Sequence, residues 1–166
     1  MIARPDLPQE ALLRKDRDAG AYTDCYATEI AARVSHAAYV EAFYTTRVFK
    51  LERLLLKWFV SKPSTDDDAR RLARGELDAF AAWTVEARVR DQILLADFMG
   101  RTKSWLMIAP LGDAGTRLYF GSAVVKVRDK TGRPQLGSTF SALLGFHKLY
   151  SRVLLAAAKS RLPAIQ

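Results

Sequence analysis

Few groups in this sequence can hold or move a proton near neutral pH. Its two histidines are His36 and His147, and imidazole is the side chain whose ordinary titration falls there. His147 sits near the edge of an apolar band in the last helical stretch, one residue before Lys148; facing an apolar interior, it would serve as a polar anchor or a general base. His36 follows Ser35 at the start of a helical pattern, where a cation is unwelcome. Asp97, in "ILLADFMG", shares a strand face with Ile93 and Leu95. Turned inward without a partner it would have a raised pKa and could orient a ligand; close to a turn, it could equally reach water. Glu86 falls opposite the Trp83 face and reads as exposed. Ser122, between Phe120 and Val124, is a further polar contact for an enclosed ligand. The sequence has no Ser-His-Asp order, HExxH, Walker-type loop or dinucleotide fingerprint, so no catalytic residue is assigned.

Cysteine and acidic clusters add little chemistry. Cys25 is the single cysteine, which excludes an internal disulfide and a cysteine-based metal cluster. Its setting in "YTDCYATEI" alternates like a strand, which favours a buried structural thiol. The three aspartates of "STDDDARRLARGE" follow Thr65, and an acidic first turn with Thr65 and Asp68 spaced as a capping box explains them without a metal. Neither a metal nor a cofactor is expected.

The elements that would position these groups can be read from periodicity. At 166 residues the chain fits one domain with a real core; residues 1–20 read as a loosely held lead-in and residues 21–162 as the domain. Strand alternation runs from Tyr22 to Ile30. A single long helix is expected from about Ser35 to Val60, with Ser35 as N-cap and an aromatic stripe that reads as core. The short helix after Thr65 ends at Gly75. From Ala79 onward the period is two: Trp83, Val85, Ala87 and Val89 on one face, then "QILLADF", "KSWLMIAPL" and "TRLYFGSAVV", joined by short turns into an antiparallel meander. The final helix carries Phe140, Leu143, Leu144, Leu149 or Tyr150, Val153, Leu154 and Ala157 as a wide apolar band, suited to covering one face of that sheet.

That order resembles the helix-grip superfamily, also called START-related or SRPBCC, which includes polyketide cyclase-like proteins. The resemblance is carried by "YTDCYATEI", the meander from "FAAWTVEARV" to "TRLYFGSAVV", and "FSALLGFHKLYSRVLLAAAKSRL". It implies an α+β fold in which an antiparallel β-sheet wraps around a long C-terminal helix, with two helices after the first strand. It also implies a cavity between sheet and helix for a hydrophobic small molecule. Trp83, Trp105, Phe120 and Tyr150 would supply the walls, and Asp97, Ser122 or His147 the polar anchors.

Charge bears on partners. Residues 126–166 hold Lys126, Arg128, Lys130, Arg133, Lys148, Arg152, Lys159 and Arg161 against Asp129, so this quarter carries most of the net charge of +8. A solvated helix face and a charged loop account for it, and nucleic acid or an anionic membrane is the less favoured partner. Non-catalytic binding of a hydrophobic or amphipathic molecule in a cytoplasmic protein is the expected function. The alternatives are a homodimer formed through the long first helix and a cyclase- or dehydratase-like enzyme.

Overall fold

A computed structural model describes residues 1–50, 64–125 and 139–162, with the side chains of residues 139–149 outside the description. The elements are α1 (Arg14–Asp18), β1 (Tyr22–Ile30), α2 (His36–Tyr44), α3 (Asp66–Ala73), β2 (Ala79–Phe80), β3 (Trp83–Val89), β4 (Gln92–Asp97), β5 (Thr102–Leu111), β6 (Gly115–Val124) and α4 (Thr139–Arg161). Six strands form one antiparallel sheet in the order β1-β6-β5-β4-β3-β2. The meander lays consecutive strands side by side, and β1 returns along the far edge to pair with β6 over its whole length, Tyr22 opposite Val124 and Ile30 opposite Thr116. The fold is therefore α+β, with α4 packed on β1, β6 and α2.

The two sheet faces have separate cores, because side chains alternate along each strand. The inward face, under the helices, contributes Tyr26, Ile30, Phe80, Ile93, Leu95, Leu106, Leu118 and Phe120, which join Tyr39, Phe43, Tyr44, Phe49, Leu72, Leu154 and Leu155. Burying each large side chain here contributes roughly 1.5–3 kcal/mol. The opposite face contributes Cys25, Leu94, Trp105, Met107 and Tyr119, and it is covered by Leu7, Ala11 and Leu13. Residues 1–20, expected as a loose lead-in, thus pack against the sheet. Gln92 fastens them there: its Oε1 accepts from Leu12 N–H and from Trp105 Nε1–H, each at 2.9 Å, and its Nε2 donates to Glu10 O at 3.0 Å. A second tie is ionic, Lys103 Nζ lying 2.6 Å from Asp16 Oδ1 and 2.7 Å from Glu86 Oε1.

Local signals explain most boundaries. Ser35 caps α2 by accepting from Ala38 N–H, and Thr65 with Asp68 forms the reciprocal capping box of α3. The long helix expected over 35–60 is broken. It stops at Tyr44, and a new helical turn starts at Arg47. Thr45 Oγ1 donates back to Glu41 O at 2.7 Å and Thr46 Oγ1 to Phe43 O at 3.0 Å, while Phe49 N–H donates to Thr46 Oγ1. The two threonines compete for the helix hydrogen bonds, and Thr46 then caps the new turn; residues 51–63 of the expected helix lie outside the described residues. The alternation of β3 also fails midway. A bulge between Val85 and Ala87 takes up Glu86, so Ala87 turns to the Leu94 side and Arg88 stands opposite Ile93.

Candidate functional site

The inward face changes character toward the end of the sheet where β1 begins and β6 ends. One row across it holds Tyr26, Phe120, Leu106 and Ile93; the next holds Asp24, Ser122, Ser104 and Leu95. Asp24, Ser122 and Ser104 are all buried. Ser122 Oγ–H donates to Asp24 Oδ1 at 2.6 Å, and Ser122 N–H reaches the same oxygen at 3.1 Å. Tyr44, entering from α2, places its hydroxyl 3.2 Å from Ser104 Oγ. The last row brings Asp97 opposite Trp83. The Trp83 ring packs on the main core, and its Nε1 is buried with no acceptor among the described residues. A buried donor left unpaired costs about 1–3 kcal/mol.

The residues expected around a ligand fall on both sides of the sheet. Trp83, Phe120, Ser122 and Tyr150 lie on the helix side. Phe120 packs close to Phe43, ring centres 4.8 Å apart and planes tilted by 41°, and Tyr44, Phe49 and Phe80 continue the cluster, so that part of the interior is packed solid. Trp105 is a correction. It is fully buried on the opposite face, beneath Leu13 and bonded to Gln92, because it alternates with Ser104 and Leu106, which point inward. Asp97 is a correction of role: its Oδ1 accepts from Met99 N–H and Arg101 N–H, and its Oδ2 from Thr102 Oγ1–H. The carboxylate therefore builds the β4–β5 turn. His147 lies on α4, with its side chain outside the described residues.

Sequence reading missed Asp24, Ser104 and Tyr44. The signal for Asp24 was present: a charged residue two positions before Tyr26 falls on the buried face of β1. Other titratable groups are held inert. Burial pushes the Cys25 thiol up to about 12, far from the thiolate a nucleophile needs. Burial also pushes His36 down to about 4, outweighing its contact with Leu106 O at 3.4 Å, so the ring is neutral at pH 7. Three surface grooves among the described residues lie away from Trp83: one of about 780 Å³ beside Arg33, His36, Asp91 and Pro110, one of about 590 Å³ between Ala37, Arg74 and Arg88, and one of about 470 Å³ between Met1, Ile30, Ala156 and Leu162.

Among the described residues no helix is long and apolar enough to cross a membrane, and no three potential ligands cluster as a metal site would require. No family model matches the chain, and no curated protein matches it. Among solved structures it is similar to CalU16 from Micromonospora echinospora, with 13% identity over 96% of this chain and 92% of that chain, at a TM-score of 0.34. At that overlap the likeness carries no functional assignment, and the fold rests on the strand order and packing described above.

Proposed function

We propose that the protein binds a hydrophobic or amphipathic small molecule between the sheet and α4, without transforming it. Trp83 and Tyr150 line its apolar body, and Ser122 meets its polar end. The observation that carries this reading is the buried Trp83 Nε1–H, which has no acceptor among the described residues. It sits beyond a buried polar row, Asp24, Ser122 and Ser104, in an otherwise aromatic interior. A ligand oxygen accepting from Trp83 relieves that cost. Cys25 and His36 are both held in their neutral forms by burial, which favours holding over reaction.

Native mass spectrometry of the purified protein tests this. A co-purifying small molecule is expected, and Trp83→Phe, which keeps an aromatic ring but removes the donor, should weaken its retention by about tenfold. A protein observed only at its bare chain mass, and failing to bind added hydrophobic fluorophores, would overturn the proposal.

A further inference from the structure

The β3 bulge aims an arginine at a groove. By taking up Glu86 it turns Arg88 to the helix side, opposite Ile93. There the side chain is half-buried and lines a groove of about 590 Å³ beside the start of α2. A cation is poorly placed at that point, because the first turn of a helix carries partial positive charge. Its hydrogen bonding is also thin: among the described residues the guanidinium donates only to Leu77 O, at 3.4 Å. Burial lowers the Arg88 pKa, and Asp78 opposes that from beyond ion-pair distance.

The rest of the lining adds donors and, among the described residues, no carboxylate. Arg90 is exposed and makes no ion pair or side-chain hydrogen bond among the described residues. Arg74, at the end of α3, is matched by Glu76 at 2.7 Å, and Asp91 lines the adjoining groove of about 780 Å³ and not this one. Arg88 and Arg90 are therefore the lining cations left without an ion pair. On the facing wall His36 and Ala37 belong to the first turn of α2, whose leading amides have no acceptor within the helix; Ser35 serves the Ala38 amide. The remaining lining, Ala73, Gly75 and Val89, is uncharged. A carboxylate would engage one guanidinium fork, whereas a phosphate group offers oxygens to both and carries close to two negative charges.

We propose that Arg88 and Arg90, with the first turn of α2, bind the phosphate group of a small molecule. This site stands independently of the one at Trp83. The test is titration of the full chain at constant ionic strength, followed by amide NMR, with inorganic phosphate, phenyl phosphate and acetate as probes. Saturable shifts at His36, Ala37, Arg88 and Arg90 are expected with both phosphates, half-saturating on the order of 1 mM, and at least about tenfold weaker with acetate. Tighter binding of phenyl phosphate assigns an esterified source, and tighter binding of inorganic phosphate the free ion. Arg88→Gln should weaken phosphate binding by about tenfold, and Arg88→Lys, which keeps the charge but loses the fork, by about threefold. Arg90→Gln, at an exposed position that the fold does not need, should weaken it by about fivefold. Arg117→Gln, at an arginine paired with Glu29 on the β1–β6 side of the sheet, should leave it unchanged. Shifts that never saturate, shifts reproduced by sodium chloride, equal binding of acetate, or binding indifferent to Arg88→Gln and Arg90→Gln overturn the proposal.

Discussion

His36 is the residue whose burial has the clearest thermodynamic consequence. Its ring is 8% exposed and its folded pKa is lowered from 6.5 to about 4. The unfolded chain therefore binds a proton between those values that the folded chain refuses. Stability is full above about pH 6.5 and is lost as pH falls toward 4, by up to about 3 kcal/mol from this site. Chemical denaturation at a series of pH values should show that slope, and His36→Gln should flatten it. At the same scale, burial keeps the Cys25 thiol protonated and the β4–β5 turn takes up the Asp97 carboxylate, and the proposed small-molecule site calls on neither.

At the scale of the element, the two threonines that interrupt the first helix decide how the aromatic core closes. Ending α2 at Tyr44 and restarting at Arg47 lets Phe43, Tyr44 and Phe49 converge on Phe80 and Phe120; one straight helix would have carried Phe49 along its own axis. Thr46 both closes one helix and caps the next. Thr46→Ala should therefore cost about 1–2 kcal/mol, measured as a lowered denaturant midpoint with little change in slope. Thr46→Ser, which keeps the oxygen, should recover most of that loss. The β3 bulge acts at this scale too: by absorbing Glu86 it moves Val89 to an exposed edge and brings Arg88 to the inward side.

For the molecule as a whole, the sheet is a partition covered on both faces. Helices cover the inward face, and residues 1–20 cover the other through Leu7, Ala11 and Leu13. Gln92 is the polar bolt of that second cover. Gln92→Leu would leave the Trp105 indole N–H, the Leu12 amide and the Glu10 carbonyl without their partners. A loss of about 2–4 kcal/mol is expected, with protease cleavage appearing first within residues 1–20 while the remainder stays protected. Simultaneous loss of the entire fold at the same denaturant concentration would instead make the N-terminal cover part of one cooperative unit.

The class of fold and its order of elements were legible in one dimension, because period-two and helical spacing, the Ser35 and Thr65 caps and the turn glycines are local signals that do not depend on distant partners. That Ser122 shares a strand face with Phe120 was legible too, since alternation along one strand fixes relative sides. Two things stayed open: which side of the sheet each strand presented, and how far alternation persisted. Trp105 and Trp83 read alike in the sequence, yet cross-strand register puts them on opposite faces, and the Glu86 bulge reverses β3 partway along. The Asp24–Ser122 pair is separated by 98 positions in the chain and exists only because β1 closes onto β6. Exposure of Phe98 and Met99 was equally undecided, since an apolar pair after a strand is buried or presented according to the turn that Asp97 locks. These points were settled only in the folded chain, because register, bulges and closure are set by long-range packing that no local pattern encodes.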